Sequence, residues 1–439
     1  MLELREIVKE LLSQMAPSRE VRQYLQQFSD VEQSRFAVVK VGGGVLQDEL
    51  DALASALAFL HRLGLIPIVL HGAGPQLDRA LEEAGIATER HDGLRVTTEE
   101  AMAVVRPVIY RQNRRLVEAL EARDIRTRGI QHGVFHCEGL DREKYGLVGH
   151  ITDVDLESIR AAVSAGALPV VACLGETASG QVMNVNADIA ARELVWAVEP
   201  HKIIFLTPTG GLLDREGRVI SAVSLDNDYE HLMAQPWVHS GMRLKLQQVR
   251  EMLERLPPST SVSITSAARL TRELFTHGGA GTLIRRGELI REYETWDDDL
   301  RRRAGDAVEQ AFGRTLREDW LEGAELRCVL MADSGRAAAV VLDGEGGVPY
   351  LDKFAVTPEA RGEGLGAALW QSLCARFPKL YWRSRTANPI NGWYFQQADT
   401  THRDGHWVVF CMGVADAELE TRLVRDALAR DAGWVPETE

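Results

Sequence analysis

Two glycine-rich turns, each placed after an apolar run, are the residues of this sequence best suited to binding phosphate. Lys40 is followed by Val41-Gly42-Gly43-Gly44, and His71 is followed by Gly72-Ala73-Gly74-Pro75. A glycine-rich turn that leads into a helix presents backbone N–H groups to an anion and lets it approach closely. Lys40 adds a positive charge at the carboxyl end of a predicted strand, where parallel sheets bind ligands. This spacing is not a Walker loop, whose lysine follows its glycines.

A third glycine-rich stretch, Arg361-Gly362-Glu363-Gly364-Leu365-Gly366, lies between an apolar run ending at Val356 and an apolar helical pattern. It suits a pyrophosphate, although such a string alone also fits an ordinary surface turn. Its neighbours favour the functional interpretation: Lys353 precedes it, and residues 381–395 hold two arginines, two asparagines and several aromatic residues. That composition indicates a pocket for an anionic substrate, with a tyrosine for proton transfer, on a strand followed by an Asn-Pro turn.

Three further clusters have both a structural and a functional interpretation. Arg95 in Gly-Leu-Arg-Val-Thr fits a surface arginine or a carboxylate-binding group. Asn184-Val185-Asn186-Ala187-Asp188 fits helix capping, and Lys245 fits an exposed helix charge. Together they supply what phosphoryl transfer needs, namely cations on the transferring group and an anchor for the substrate.

Composition excludes several classes of protein. A chain of 439 residues is too long for one ordinary core, so two or three domains are expected. The net charge of −14 argues against general nucleic-acid binding, and no apolar run approaches the roughly 20 residues of a membrane helix. The N-terminus fits neither a secretory signal nor a transit peptide, so we expect a cytoplasmic protein. The scattered cysteines predict reduced core thiols rather than disulfides or a metal site: Cys137, Cys173, Cys328, Cys374 and Cys411.

Apolar periodicity predicts an α/β fold. Residues 1–34 have helical spacing, and from there continuous β-branched runs alternate with helical patterns, as in a mostly parallel sheet between helices. The predicted strands of this part are 36–41, 66–72, 168–175, 202–208 and 261–266. The densely charged residues 286–304 are predicted to be a linker between a domain at 35–285 and a smaller α+β domain at 305–439. The predicted strands of the second domain are 326–332, 336–343, 348–356, 379–383 and 407–413.

Five short motifs of this sequence resemble, in their order and spacing, those of the N-acetylglutamate kinases of the amino acid kinase family. They are Lys-Val-Gly-Gly-Gly, His-Gly-Ala-Gly-Pro, Gly-Leu-Arg-Val-Thr, Asn-Val-Asn-Ala-Asp and Gly-Met-Arg-Leu-Lys. The resemblance implies phosphorylation of the side-chain carboxylate of N-acetylglutamate by ATP with Mg²⁺, without protein ligands to the metal. The implied catalytic residues are Lys40, Asp188 and Lys245. The implied substrate-binding residues are Ala73, Gly74, Arg95 and Asn184, and the implied ATP-binding residues are Lys40, Gly43, Gly44, Thr207, Gly210 and Lys245. Ala73 stands where many members have glycine.

Residues 269–282 also resemble the members of that family that respond to arginine, in which this segment and an N-terminal helix form the inhibitor site. The resemblance implies L-arginine as an inhibitor bound near Glu273, His277 and Gly281, although a glycine-capped last helix is the simpler interpretation. It also implies a homo-oligomer, a tetramer, assembled through the kinase-like domain.

The second domain resembles the acetyltransferase domain of vertebrate-type N-acetylglutamate synthases, in the general N-acetyltransferase (GNAT) superfamily. The residues that carry this resemblance are Leu-Asp-Lys-Phe-Ala-Val, Arg-Gly-Glu-Gly-Leu-Gly and the arginine–asparagine–tyrosine string within 382–395. It implies that L-glutamate is bound by Lys353, Arg383 and Asn388, with Tyr394 as general acid. The residues implied to bind acetyl-CoA are Val356, Arg361, Gly362, Gly364 and Gly366.

The two resemblances together predict a bifunctional enzyme of arginine synthesis, since the product of the second domain is the substrate of the first. Two alternatives remain open. In one, the kinase-like domain is only an arginine-binding regulatory and assembly module; in the other, the acetyltransferase-like domain only binds a ligand or shapes the oligomer. The joint presence of Lys40, Asp188 and Lys245 argues against the first alternative. The joint presence of Lys353, Arg383, Asn388 and Tyr394 argues against the second.

Overall fold

The computed structural model describes residues 36–238, 240–257, 260–275, 280–321, 324–361 and 364–435. The predicted helical segment 1–34 lies outside these residues. The chain divides after Arg286 into two compact units. None of the helices in the described ranges is both long and apolar enough to cross a membrane. The five cysteines are free thiols, and all but the half-buried Cys374 are buried.

The first unit is organised by an eight-stranded sheet in the order β12-β14-β13-β11-β1-β2-β8-β5. Its central strands are parallel, and the β13–β14 pair alone among its described ladders is antiparallel. A four-stranded sheet, β10-β9-β6-β7, and the hairpin β3–β4 accompany it. The strands of the first unit are β1 Ala37–Val41, β2 Ile68–His71, β3 Arg90–His91, β4 Leu94–Arg95, β5 Thr127–Ile130, β6 Phe135–Gly139, β7 Gly149–Val154, β8 Leu168–Ala172, β9 Leu174–Glu176, β10 Val182–Asn184, β11 Lys202–Leu206, β12 Ala222–Ser224, β13 Ser261–Thr265 and β14 Thr282–Arg285.

Helices cover both faces of the large sheet, which explains why its central strands have no polar face. Val38 packs into one core with residues of α3, α7 and α9, and Val39 packs into a second core with residues of α2 and α10. The helices of the first unit are α1 Gly43–Asp48, α2 Leu50–Arg62, α3 Gly74–Glu83, α4 Glu99–Glu121, α5 Arg142–Tyr145, α6 Glu157–Ser164, α7 Ala187–Val198, α8 Leu225–Ala234, α9 Ser240–Glu254 and α10 Leu270–Phe275. The predicted mostly parallel sheet between helices is thus confirmed.

The second unit is a seven-stranded sheet in the order β15-β16-β17-β18-β19-β21-β20. Its ladders are antiparallel except for the β18–β19 pair. Its strands are β15 Ile290–Tyr293, β16 Leu326–Ala332, β17 Ala337–Leu342, β18 Tyr350–Val356, β19 Leu380–Arg385, β20 Thr400–Asp404 and β21 Trp407–Met412. Its helices are α11 Asp298–Phe312, α12 Leu365–Arg376, α13 Asn391–Gln397 and α14 Ala417–Ala429.

The charged stretch 286–304, predicted to be a linker, is part of the second unit's fold. Residues 290–293 form the edge strand β15, paired with β16, and α11 begins at Asp298 with Asp297 as its cap. An edge strand often carries charged side chains, because they discourage its unpaired backbone edge from pairing with another chain. The same reason explains why the polar edge strand β20 has no counterpart among the predicted strands.

Candidate active sites

Lys40 lies near the carboxyl end of β1, in the middle of the large sheet, where a charge needs a partner. Its Nζ lies 2.5 Å from Oδ1 of Asp188, in the first turn of α7, and its side chain is only 15% exposed. Desolvation, and after it the positive charge of Lys40, lowers the pKa of Lys245, whereas Asp188 raises it. The three predicted catalytic side chains of the first unit therefore interact electrostatically at one edge of the sheet.

The two glycine turns that follow β1 and β2 are in direct contact. A side chain on Gly43 would place its Cβ 2.9 Å from the backbone nitrogen of Gly74, and Gln76 Nε2 donates a hydrogen bond of 2.8 Å to the Gly43 carbonyl. The helix α3 starts at Gly74, and no side chain caps its first N–H groups. These groups are therefore available to an anion.

A third turn, Thr207 to Gly211, follows β11 on the other side of β1. Gly210 has a positive φ of 68°, and a Cβ on Gly44 would lie 3.3 Å from Pro208. The Thr207 and Thr209 hydroxyls are 3.2 Å apart. The structure thus brings the predicted ATP-binding residues Gly43, Gly44, Thr207 and Gly210 to the strand ends beside Lys40.

Arg95 and Asn184, predicted to bind the acidic substrate, are linked through Thr97. Asn184 Nδ2 donates to the Thr97 hydroxyl at 3.0 Å, and that hydroxyl donates to the Arg95 carbonyl at 3.0 Å. The Arg95 side chain is 6% exposed; its Nη2 is paired with Asp78 at 2.6 Å, and its buried Nη1 has no hydrogen-bond partner among the described residues. Sequence reasoning missed Asp78 and Thr97. The sequence feature that could have indicated Asp78 is its spacing. It lies four residues after Gly74 on the same helix, and therefore on the same side of that helix.

The segment predicted to respond to arginine packs closely against the nucleotide turn. Glu273 is buried, and its Oε2 accepts a hydrogen bond of 2.5 Å from the backbone N–H of Ala280. A Cβ on Gly281 would lie 2.1 Å from the Ile264 carbonyl oxygen and 2.9 Å from that of Gly210. His277 lies outside the described residues.

In the second unit, β18 and β19 separate soon after they pair. Only Tyr350 with Tyr381 and Leu351 with Trp382 form the parallel ladder, although β18 continues to Val356. Opposite β17, the register shifts so that Asp352 is an extra residue, as in a β-bulge. The divergence leaves one side of the β18 backbone without a β19 partner, which opens a slot for an extended ligand.

The end of that slot meets the predicted pyrophosphate cradle. Gly364 has φ of 87° and precedes α12, whose first N–H groups are capped by no side chain of the described residues. A Cβ on Gly366 would lie 3.2 Å from Val356 Cγ2. Arg361 Nη2 donates to the carbonyl of Ala311 at 2.7 Å, which fixes the turn on α11. Gly362 lies outside the described residues.

Lys353, predicted to bind glutamate, is almost fully enclosed. Its Nζ is 2.6 Å from Asp352 Oδ2, and the Lys353 and Asp352 side chains are 6% and 9% exposed. The ammonium also lies 5.1 Å and 5.5 Å from the ring centres of Trp320 and Trp434. The buried charge is therefore stabilised by a carboxylate and by two indole faces. Sequence reasoning assigned no role to any of these three partners.

Arg383 and Asn388 have local partners that the sequence did not suggest. Arg383 donates to the carbonyls of Arg430 at 2.5 Å and Leu428 at 3.3 Å, at the carboxyl end of α14, and stacks 4.2 Å from the ring centre of Trp407. Asn388 Nδ2 donates to Ser384 at 3.0 Å. By contrast, Arg385 is exposed and makes no ion pair or hydrogen bond through its side chain within the described ranges. Its guanidinium is therefore better placed than that of Arg383 to bind an anion.

Tyr394, the predicted general acid, projects from α13 into an aromatic cluster. Its ring centre is 5.5 Å from Trp382 and Trp393 and 5.4 Å from Phe410. A tyrosine phenol is protonated at neutral pH, and burial raises the pKa of Tyr394 further. A protonated phenol is the state that a proton donor needs.

Comparison with known proteins identifies the class of each unit. Residues 35–266 match the amino acid kinase family, and residues 301–430 match the N-acetyltransferase domain of N-acetylglutamate synthase. The chain therefore belongs to the amino acid kinase family and carries a C-terminal N-acetyltransferase domain, which confirms both resemblances.

Individual relatives cover most of the chain. It is 48% identical to an acetylglutamate kinase of Xanthomonas campestris over 408 residues, which span 92% of this chain and 96% of the relative. It is 32% identical to human mitochondrial N-acetylglutamate synthase, over 93% of this chain and 75% of that one. The crystal structure of Neisseria gonorrhoeae N-acetylglutamate synthase, complexed with coenzyme A and N-acetyl-glutamate, aligns over 90% of this chain and 98% of its own, with a TM-score of 0.65 and 20% identity. That last likeness concerns the fold.

Proposed function

We propose that the first unit transfers the γ-phosphoryl group of ATP to the side-chain carboxylate of N-acetylglutamate. The observation that carries this proposal is the Lys40–Asp188 ion pair, which interacts electrostatically with Lys245 at the strand ends that three glycine turns surround. Lys40 and Lys245 stabilise the charge on the transferring group, and Asp188 keeps the two ammonium groups close despite their repulsion. Arg95, Asn184 and the Ala73–Gly74 turn hold the acid.

Mg²⁺ enters this reaction with ATP, as part of the nucleotide substrate. Within the described ranges, no group of three or more histidine, cysteine or acidic side chains is arranged to hold a metal ion. Mg²⁺ commonly binds through substrate phosphates and keeps several waters, so a dedicated protein cage is not needed.

We propose that the second unit transfers the acetyl group of acetyl-CoA to L-glutamate. The slot between β18 and β19 and the uncapped start of α12 suit the pantetheine and pyrophosphate of the donor. The amine of glutamate attacks the thioester carbon directly, and the amide forms as the carbon–sulfur bond breaks. Tyr394 donates its phenolic proton to the departing thiolate, and the proton that the nitrogen loses passes to solvent, from which the phenolate is reprotonated. Lys353, Arg383 and Asn388 are the predicted glutamate-binding residues, and the exposed Arg385 joins them as a candidate.

The two reactions are consecutive steps of arginine synthesis, because N-acetylglutamate is the product of one and the substrate of the other. L-arginine, the end product of that synthesis, inhibits the enzyme through the Glu273–Gly281 segment. The chain assembles as a homo-tetramer through its kinase domain. The closeness of Gly281 to Gly210 supports a route from that segment to the nucleotide turn. Residues 35–285 constitute the kinase domain in this proposal.

Two assays on the purified protein test the proposal, each with and without L-arginine. One supplies L-glutamate and acetyl-CoA, and the other supplies N-acetylglutamate and Mg-ATP. Lys40→Ala should abolish phosphorylation and preserve acetyl transfer. If the wild-type protein forms N-acetylglutamate but phosphorylates none, the first unit is a regulatory and assembly module instead. If it phosphorylates but transfers no acetyl group, the second unit only binds ligand or shapes the oligomer.

A further inference from the structure

Charged contacts hold the β3–β4 hairpin, residues 90–95, at two separate places. On one side, Arg90 and Arg95 both reach Asp78 Oδ1 on α3, at 3.5 Å and 2.6 Å. At the tip, Asp92 Oδ2 accepts hydrogen bonds from Lys144 Nζ at 2.8 Å and from the Tyr145 hydroxyl at 2.5 Å. Both residues of β3 are exposed, so these contacts rather than a core of its own fix the hairpin.

The buried guanidinium of Arg95 is only half satisfied by these contacts. Nη2 is paired with Asp78, whereas Nη1 is buried without a hydrogen-bond partner in the described part of the chain. A buried N–H donor without an acceptor raises the free energy of the folded state. The position of Nη1 therefore indicates that a ligand supplies an acceptor there. A carboxylate suits it best, because guanidinium N–H groups form their strongest hydrogen bonds with ionised oxygens.

Asp78 also fixes where Arg95 lies relative to the glycine turn. Asp78 and Gly74 are four residues apart on α3 and therefore lie on the same side of that helix. The Arg95–Asp78 pair consequently sets the separation between the guanidinium and the N–H groups at the start of α3. Under the proposed function, these are two of the elements that bind N-acetylglutamate.

We propose that Asp78 is a positioning residue for the acidic substrate of the first unit. It orients the Arg95 guanidinium so that Nη1 faces the substrate carboxylate, and the contacts of Asp92 with Lys144 and Tyr145 hold the hairpin that carries Arg95. Asp78 itself does not touch the substrate. The inference rests on the proposed function, because it takes N-acetylglutamate as the ligand of Arg95.

The contribution of Asp78 to substrate binding can be separated from its contribution to folding. Its side chain is 50% exposed, but that of its partner Arg95 is only 6% exposed, so loss of the carboxylate also lowers stability. Replacing Asp78 by asparagine preserves its shape and removes the charge that orients Arg95. A purely structural role would weaken the binding of both substrates equally, whereas a positioning role weakens that of N-acetylglutamate alone.

The experiment compares Asp78→Asn with Asp51→Asn in the full-length protein. Asp51 is an exposed carboxylate that pairs with Arg123 on the α2–α4 side of the same unit, which makes its variant a matched control. Asp78→Asn should raise the KM for N-acetylglutamate about 10-fold, with the KM for ATP unchanged. Asp92→Asn should raise the same KM about 3-fold, because it loosens the hairpin without touching Arg95. Asp51→Asn should change neither the KM for N-acetylglutamate nor the KM for ATP.

Calorimetric titration of N-acetylglutamate, without ATP, separates this inference from the proposed function. If the wild-type protein binds N-acetylglutamate but phosphorylates none, the kinase assignment fails, and a weaker affinity in Asp78→Asn still supports the positioning role. An unchanged or tighter affinity in Asp78→Asn overturns it, since Asp78 then either plays no part or competes with the substrate for Arg95. Equal weakening of ATP and N-acetylglutamate, or a wild-type protein that binds no N-acetylglutamate, also overturns it.

Discussion

Asn113 Nδ2 donates a hydrogen bond of 3.1 Å to the imidazole Nε2 of His71, directly before the Gly72–Gly74 turn. The same amide group donates to the Val170 carbonyl at 2.9 Å, so that Asn113 joins β2, β8 and α4. The imidazole is fully buried and must therefore be neutral, with its proton on Nδ1, when Nε2 accepts this bond. A neutral buried histidine has a consequence for stability.

Acid should destabilise the first unit through His71. Burial lowers the pKa of His71 from 6.5 to about 4, so that between these values the unfolded chain binds a proton that the folded chain does not. Stability therefore falls as the pH drops from about 6.5 to 4, by about 3 kcal/mol, and this contribution is constant outside that window. Urea unfolding of the wild-type protein and of His71→Gln, measured across this pH range, isolates the contribution of His71. It is the difference between the two proteins in the slope of the unfolding free energy against pH. Parallel slopes for the two proteins would show that His71 binds protons equally in the folded and the unfolded state.

Asp188→Asn should move the alkaline limit of phosphoryl transfer to lower pH. Lys245 has to be protonated to stabilise the transferring group. Phosphoryl transfer is therefore lost as the pH rises through the pKa of Lys245. Desolvation and Lys40 already lower that pKa, and Asp188 opposes them. Without the carboxylate the pKa of Lys245 falls further, and kcat at neutral pH should fall by about 10- to 100-fold. The pH profile of kcat checks this, with acetyl transfer by the same preparation as the control. An unshifted alkaline limb would contradict it.

Gly281→Ala should weaken ATP binding although residue 281 belongs to the predicted effector segment. The new Cβ would collide with the backbone oxygens of Ile264 and Gly210, neither of which can rotate away. Such overpacking costs about 1 to 3 kcal/mol, and its displacement of Gly210 should raise the KM for ATP. Gly392→Ala is the matched control, because a Cβ there meets no atom within 4 Å. Normal ATP kinetics together with normal stability in Gly281→Ala would show that the backbone there adjusts freely.

Arg383→Ala and Arg385→Ala should separate a structural arginine from a substrate-binding one. Arg383 donates to two carbonyls at the carboxyl end of α14. Its removal should therefore lower the unfolding free energy of the second unit by about 1 to 3 kcal/mol, and with it the melting temperature. Arg385 has no such bonds within the described residues, so its removal should raise the KM for L-glutamate and preserve stability. Differential scanning calorimetry and the acetyl-transfer assay report the two effects. The assignment is reversed if Arg383→Ala changes only the KM.

The sequence predicted the parts of this protein in which local pattern and tertiary structure agree. Buried β-branched runs such as 36–41 and 168–175 give the central strands, because both of their faces meet helices. Glycines after β1 and β2 predicted the turns, because close approach of backbones excludes other residues there. Lys40 was singled out because a lysine is unusual at a crowded strand end, whereas the roles of Asp188 and Lys245 came from the family resemblance and stay predictions.

What the sequence did not predict depends on partners that are distant along the chain. Nothing in the local pattern around Lys353 indicates Trp320 and Trp434, and nothing near Arg383 indicates the end of α14, 45 residues away. Polar edge strands such as β15 were missed, since their charged and largely exposed side chains show no apolar pattern. Asp78 was missed because its role depends on a hairpin that reaches it from another part of the fold.

The contact between the Gly43 and Gly74 turns limits how this enzyme could acquire a new substrate. One turn lies with the predicted nucleotide-binding residues and the other with those for the acid. A side chain on Gly43 would need space that the Gly74 turn occupies, whereas a Cβ on Gly74 would meet nothing within 4 Å. A change at Gly43 therefore requires a matched shift of the neighbouring turn, which a single substitution cannot supply. Laboratory selection for phosphorylation of other acids should collect its changes in the acid-binding turn and in residues 90–95, and leave Gly43 as it is.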